Sequence, residues 1–408
     1  MMKMIEGGVC AAQGFQAAGI HVGVKTHASW KKDVALIVSD TECSAAAVFT
    51  KNVVKAAPIH VDMEHLKDGK ARAVIVNSGN AKTCAPQGEE NAEKLCAAAA
   101  KAIGCKAEDV VVSSTGVIGQ TLNVKVIEDG LPELYGALAH SADASDAAAH
   151  AIMTTDTVKK EAAVETQIGG KTVRMGGIAK GSGMIHPNMG TMLCFLTTDC
   201  AISPEMIQAA LLETVTVSFN RISVDGDTST NDTCCVLANG LAGNETITEK
   251  GPDYAAFLEA LRTLCVALAR KMASDGEGAK HLVTCTVSGA SDTATAETLS
   301  KSVISSTLTK AAIFGADANW GRVLCAMGYS GADFNPETVD VRFASAAGEI
   351  LVCRQGRGVD FDEALAKKIL TEHDVEINID MNAGSGACTC WGCDITYDYI
   401  KINGDYRT

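Results

Sequence analysis

Lys180-Gly-Ser-Gly-Met184, followed by Pro187-Asn-Met189 and then Gly190-Thr191, concentrates reactive groups next to an apolar run, residues 192–197. A glycine-rich loop with one lysine feeds a segment that reads as a buried strand, and Thr191 stands at the join. Sheet holds a hydroxyl there from one side, and a pliable loop reaches it from the other. Gly190 has no Cβ, so its carbonyl is open to attack and its backbone accepts strained geometry. Such residues suit a chain that cuts itself between Gly190 and Thr191 and then works through the new N-terminal threonine. Its own α-amine, with a reference pKa of about 7.7–8.0, is then the base for the hydroxyl. A loop entering a core strand behind a capping threonine accounts for the same residues without chemistry, and the stretch by itself leaves both open.

Two further turns carry groups that such chemistry needs. A strand at residues 109–112 delivers Ser113-Ser-Thr-Gly-Val-Ile-Gly119, where Thr115 and Gly116 are candidate oxyanion-hole donors. A strand at 71–76 runs into Asn77-Ser-Gly-Asn80, a polar turn at a strand end. Lys180 can lower the proton affinity of a neighbouring amine or meet a substrate carboxylate. Glu277, between Gly276 and Gly278, reads as exposed on a backbone that can bring it near a ligand; a helix C-cap with a solvated acid accounts for it equally.

These groups need a framework, and 408 residues with 47% hydrophobic content and only 7 prolines supply one. Aromatics at 4% leave alanine and small aliphatics to fill the core. Expected strands are 33–39 paired with 45–50, a hairpin over 164–173 about Gly169-Gly170, 219–224, 282–287, 339–343 and 375–381. An alternating strand is expected at 394–403. Residues 14–19 read as a turn. Helices are expected at 89–103, at 145–153 capped by Ser145 or Asp146, from Ser203-Pro204, at 254–272, at 298–310 and at 361–370. The helix at 254–272 rests on apolar residues from Tyr254 to Met272 at helical spacing. A domain boundary falls near Lys280, giving a layered α/β domain over 1–280 and a smaller α/β domain over 281–408 that closes the site.

Composition also excludes. A net charge of −14 speaks against nucleic-acid or anionic-membrane partners. No apolar run is long enough to span a bilayer, and the first twenty residues lack a signal-peptide layout, so the expected location is the cytoplasm. The 16 cysteines mostly sit in apolar segments, Cys96, Cys194, Cys265 and Cys325 among them, as reduced buried thiols. Cys388, Cys390 and Cys393 crowd together without a paired fourth ligand. The acidic loop Asp225-Gly-Asp-Thr-Ser-Thr-Asn-Asp232 fails as a calcium loop, with Thr230 at the sharp-turn position and Val236 at the bidentate position. No metal is expected, and Gly176 to Gly183 does not fit a phosphate loop.

Taken jointly and in order, the motifs above resemble the ornithine acetyltransferase (ArgJ) family over essentially the whole chain. Thr154-Thr-Asp156, Asp225-Gly-Asp227, Ser229-Thr-Asn-Asp232, Asp275-Gly-Glu-Gly278, Asn319-Trp-Gly-Arg322 and Asp405-Tyr-Arg-Thr408 complete the set. The resemblance implies an α/β layered fold of the aminopeptidase-like N-terminal-nucleophile type. It implies self-cleavage into an α chain, 1–190, and a β chain from Thr191, assembled as α2β2. The implied reaction moves an acetyl group from N2-acetyl-L-ornithine to L-glutamate by a ping-pong route through acetyl-Thr191, without a cofactor. Some members also take acetyl-CoA as donor. Family substrate contacts map onto Thr154, Lys180, Thr191, Glu277, Asn403 and Thr408, and its oxyanion pair onto Thr115 and Gly116. The family usually has alanine where this chain has Gly190; both are small, so cleavage is expected to persist, although glycine holds the scissile bond less rigidly. An amidase or aminopeptidase with water as acceptor, and an unprocessed binding protein for an acetylated amino acid, are the competing readings.

Overall fold

The computed structural model describes residues 2–26, 31–186 and 192–405. In chain order the elements are β1 (Lys3–Ile5), β2 (Phe15–Ile20), β3 (Val34–Phe49), α1 (Ala57–His65), β4 (Lys70–Asn80), α2 (Gly88–Ile103), β5 (Val110–Val117), α3 (Val124–Gly136) and α4 (Ala142–Ile152). Next come β6 (Lys160–Ile168), β7 (Lys171–Lys180), β8 (Leu193–Thr198), α5 (Pro204–Val217), β9 (Ile222–Ser223), β10 (Thr233–Ala238) and α6 (Pro252–Ser274). The remainder is β11 (Leu282–Ala290), α7 (Thr293–Ser305), α8 (Thr307–Phe314), α9 (Trp320–Gly328), β12 (Asp340–Ser345), β13 (Gly348–Arg354), β14 (Arg357–Gly358), α10 (Glu363–Thr371), β15 (Asp374–Asp380), β16 (Gly386–Cys393) and α11 (Tyr397–Asp405).

Two mixed sheets result, so the fold is layered α/β. The first runs β1-β6-β7-β8-β10-β3-β4-β5, with β2 beside the first half of β3. The second runs β14-β13-β12-β15-β11-β16-β9. The first sheet carries apolar side chains on both faces, so helices must cover both. One face packs on α5 and α6, where Tyr254, Phe257, Leu258, Leu261, Leu264, Cys265, Leu268 and Met272 are all buried, as their spacing predicts. The opposite face packs on α4, through Ile37, Val74 and Phe195, whereas α2 and α3 cover the other side of β3, β4 and β5, through Leu36, Ile75 and Val112. β9 joins the second sheet although β8 and β10, the strands on either side of it in sequence, belong to the first. No helix among the described residues is long and apolar enough to cross a membrane.

Several local expectations are corrected. Residues 33–39 and 45–50 are not partners but two halves of one strand, β3, which pairs with β2 and β4 through its first half and β10 through its second. Residues 14–19 form most of β2, because Phe15 and Ala17 face the core beside β3 rather than turning away. Asn77-Ser-Gly-Asn80 and Ser113 to Val117 are strand, not turns. Ser141, not Ser145 or Asp146, caps α4, accepting the Ala144 N–H at 3.1 Å. Residues 219–221 are a 3₁₀ turn leading into β9, and Ser306 divides 298–310 between α7 and α8. Cys325 is exposed, whereas Cys96, Cys194 and Cys265 are buried, and all the cysteines are reduced.

The alternating run at 394–403 is the largest correction. Thr396 Oγ1 accepts the Asp398 N–H at 3.2 Å and donates to the Gly278 carbonyl at 2.7 Å, starting helix α11 instead. β16 already has β11 on one side and β9 on the other, so a further strand there has no ladder to join.

Phe257 has no exposed surface and lies where α6 meets the first sheet. Phe257→Ala is expected to cost about 3–5 kcal/mol, read as a lower midpoint in urea at unchanged slope.

Candidate functional site

Lys180 ends β7, so its backbone is fixed by sheet pairing with Leu193 of β8 while its side chain leaves the strand end. Its Nζ donates to Thr154 Oγ1 at 2.9 Å and to Thr115 Oγ1 at 3.3 Å. These three candidates therefore meet at one point, although they lie on β7, after α4 and on β5. Burial pulls the Lys180 ammonium below its ordinary range, opposed first by Asp156, whose carboxylate lies 3.9 Å away.

Asp156 is the group that composes this corner. It accepts the Thr154 N–H at 3.0 Å, the Gly181 N–H at 2.8 Å and the Lys160 ammonium at 2.5 Å. Lys160 also reaches Asp275 at 2.5 Å, with neither Lys160 nor Asp156 exposed. Burial alone would raise the Asp156 carboxyl; Lys160 and Lys180 outweigh it and hold it well below the usual carboxylate range. Asp275 in turn accepts the Thr157 N–H at 3.0 Å, and its carbonyl takes the Ser182 hydroxyl at 2.7 Å. The loop after α6 is thereby tied to the loop after β7.

That tie places Glu277. Its N–H donates to the Ser182 carbonyl at 3.1 Å, and its carboxylate lies against Gly183, where a Cβ would come within 2.3 Å of Glu277 Cδ. Gly183 is thus the residue that leaves room for the acid. Asn403, from α11, donates to Glu277 Oε2 at 2.7 Å. Lys180 lines a small cleft with Thr115, Gly183, Ser229, Asn231 and Asp232, and the Glu277 carboxylate packs against Gly183 of that lining. This pairing suits a ligand carrying both a carboxylate and an ammonium.

Thr115 and Gly116 lie near the end of β5, where its pairing with β4 becomes irregular. Gly116 has φ +130°, and a Cβ there would sit 2.3 Å from the Gly79 carbonyl carbon, so only glycine fits. Asn231 donates through Nδ2 to the Ser114 carbonyl at 2.7 Å and to the Ala81 carbonyl at 2.8 Å. Because the peptide is planar and trans, holding the Ser114 carbonyl also fixes the direction of the Thr115 N–H. An oxyanion site needs this preorganisation.

Gly190, Thr191 and Thr408 lie outside the described residues. Of the other candidates, Thr115, Gly116, Thr154, Lys180, Glu277 and Asn403 are brought to the same region. Asp156, Lys160, Asp275 and Asn231 emerge as positioning groups that sequence reasoning did not single out individually, although Asp156, Asp275 and Asn231 stand inside motifs it quoted. Lys160 carried no signal at all. The acidic loop works as hydrogen-bonding structure: Asp225 accepts the Met184 and Ile185 N–H groups at 2.6 and 2.9 Å. Among the described residues no group of three or more His, Cys, Asp or Glu side chains is placed to hold a metal.

The ArgJ family profile matches residues 16–408. The arginine biosynthesis bifunctional protein ArgJ of Symbiobacterium thermophilum is 48% identical over 408 residues, covering 100% of both chains. Its counterpart from Caldanaerobacter subterraneus subsp. tengcongensis is 47% identical over 408 residues, again with full coverage of both. A solved ornithine acetyltransferase from Mycobacterium tuberculosis, complexed with ornithine, is 36% identical, covers 46% of this chain and 99% of its own, and gives a TM-score of 0.43. With a family match across nearly its whole length, the chain belongs to the ArgJ family.

Two outcomes test the positioning network. Lys160→Met leaves two buried carboxylates facing each other and is expected to cost about 3–5 kcal/mol in urea unfolding. Asp156 has a folded pKa depressed below its unfolded value of about 3.9. Its contribution is therefore present above that pH and lost as the pH falls through and below it. Unfolding midpoints measured from pH 6 down to about 3 should fall steeply for the native chain and less steeply for Asp156→Asn.

Proposed function

We propose that this chain transfers an acetyl group from N2-acetyl-L-ornithine to L-glutamate through an ester on Thr191. The supporting observation is the bonding of Lys180 to Thr154 and Thr115, with the Asn403–Glu277 pair set against Gly183 of the same loop, in a chain of the ArgJ family. Lys180 receives the substrate α-carboxylate, and Glu277, steadied by Asn403, receives an ammonium. Glutamate and acetylornithine share the amino-acid frame that these two charges fit, which allows one cleft to serve both halves of a ping-pong reaction. Thr408 completes the set of substrate contacts.

Maturation and turnover use the same hydroxyl. In the precursor, Thr191 Oγ attacks the Gly190 carbonyl, the acyl group moves from nitrogen to oxygen, and water opens the ester. The freed α-amine then takes the hydroxyl proton as Thr191 attacks the acetyl carbonyl. Negative charge gathers on the carbonyl oxygen at Thr115 and Gly116, and as the tetrahedral centre collapses the α-amine passes its proton to the departing nitrogen, which leaves as ornithine. The glutamate amine reverses these steps and carries the acetyl group away. Acetyl-CoA serves as a second donor to the same threonine. The two fragments assemble as α2β2 in the cytoplasm.

Thr191→Ala should give one uncut chain without transferase activity, whereas the unaltered chain should yield fragments of 190 and 218 residues. Incubating the mature protein with N2-acetyl-L-ornithine should place an acetyl adduct on the first residue of the second fragment. Denaturing electrophoresis and intact mass read both outcomes. An alanine variant that still splits, or an adduct elsewhere, overturns the mechanism. Acetate release in place of acetylglutamate would make the protein a hydrolase.

A further inference from the structure

Lys82 is a buried lysine that the reaction above does not use. It is 2% exposed, and its side chain runs beneath β5 immediately before the oxyanion segment. Its Nζ donates to Ser114 Oγ at 2.7 Å and to Asn77 Oδ1 at 2.9 Å, and Ser114 Oγ itself donates to Asn77 Oδ1 at 2.7 Å. Asn77 Nδ2 closes the knot on the Asn80 carbonyl at 2.9 Å. Ser114 and Thr115 are adjacent on a strand, so their side chains leave opposite faces. Thr115 Oγ1 meets Lys180 on the cleft side, while Ser114 meets Lys82 behind it.

Both ligands of Lys82 are neutral, and no carboxylate among the described residues forms an ion pair with it. The ionisable groups around it are Asp62 on α1, Cys96 on α2 and, acting on Asp62, Glu93 of α2. Burial raises the Asp62 carboxyl well above its ordinary range, and burial likewise pushes the Cys96 thiol up, so the charged form of each is disfavoured. Lys82 also holds φ at +52°, a left-handed backbone for a residue with a Cβ, pinned by its N–H to Asn80 Oδ1 at 2.9 Å. An uncompensated buried cation and a strained backbone both work against folding. That charge sits directly behind Ser114, the residue before Thr115 and Gly116 on the same strand.

We infer that Lys82 is a positioning residue for acetyl transfer: from behind β5 its ammonium fixes Ser114 and supplies positive potential to the Thr115–Gly116 segment as negative charge develops there. In a water-excluded site such a preset charge strengthens as the oxyanion forms and needs no reorganisation. Burial lowers the Lys82 ammonium to about 7, so the charge is lost just above neutrality. The inference rests on reading Thr115 and Gly116 as the oxyanion site.

The test measures the rate of Thr191 acetylation by N2-acetyl-L-ornithine in the mature, self-processed protein, with Lys82→Gln, Lys82→Arg, Gly116→Ala and Thr115→Ala beside the unaltered chain. Lys82→Gln keeps a hydrogen-bond donor and removes the charge. It should lower the maximal acetylation rate about tenfold with half-saturation unchanged, and abolish the fall in rate above neutral pH. Lys82→Arg should restore most of the rate and move that fall to higher pH. A Lys82→Gln protein that acetylates at the native rate, or changes only in half-saturation, overturns the inference. If Lys82→Gln fails to assemble, Ser114→Ala replaces it: removing the anchor should slow acetylation about threefold, and an unchanged rate overturns the inference. Gly116→Ala, whose Cβ would lie 2.3 Å from the Gly79 carbonyl carbon, separates the two readings. Full activity there refutes the oxyanion site itself, and lost activity there beside a native-rate Lys82→Gln refutes only the role of Lys82; Thr115→Ala reports the hydroxyl contact with Lys180 alone.

Discussion

Lys160 has no exposed surface and touches two carboxylates, Asp156 and Asp275, each at 2.5 Å. Taking these charges out of water costs several kcal/mol per ion, at least about that much after relaxation, and their mutual attraction repays it only when the geometry is good and the remaining lone pairs are filled. They are filled here by backbone N–H groups: Thr154 and Gly181 on Asp156, Thr157 and Val158 on Asp275. The segment before β6, the loop after β7 and the loop after α6 are therefore locked into one arrangement. Each of the three carries one candidate substrate contact: Thr154, Lys180 and Glu277. The network does less for raw stability than for deciding where those three side chains point.

The glycine corner at Thr115 and Gly116 obeys a different constraint. β4 and β5 run parallel, and at Gly79 and Gly116 their backbones approach so closely that no side chain fits between them. Asn231 then clamps the Ser114 carbonyl from the β10 side, and its Oδ1 accepts the Thr83 hydroxyl at 2.8 Å, so the clamp is itself held. Lys82 and Asn77 hold Ser114 from beneath. Backbone donors arranged this way keep their direction in the resting protein, which is the condition for stabilising charge when it appears. Lys180, bonded to both Thr154 and Thr115, joins the charged corner to the glycine corner.

Legibility in the sequence followed the range of the forces involved. α6 was readable because one face of a helix writes its burial directly into apolar spacing, and α2, α5, α10 and the hairpin of β6 and β7 were readable for similar local reasons. β3 was misread as two strands because its middle, Asp40 to Glu42, is exposed and polar while both ends are buried. α11 was misread because alternation in 394–403 is real, but sheet formation needs a partner and β16 had none to give. Propensity proposes an element and the availability of hydrogen-bonding neighbours disposes of it.

The sequence by itself determined the chemistry: which residue types were present, the glycine spacing that frees the backbone, and a run of motifs dense enough to place the chain in its family. It also supplied the candidate substrate contacts, all but Asn403 standing inside the motifs. Only the tertiary structure decided which charges face each other. Lys160 looks like any strand-opening lysine until Asp275, 115 positions away, is found against it, and Lys82 looks like a loop lysine until β5 closes over it. Coulomb energy and desolvation depend on distance and burial in space, and neither quantity is written in the order of residues along a chain.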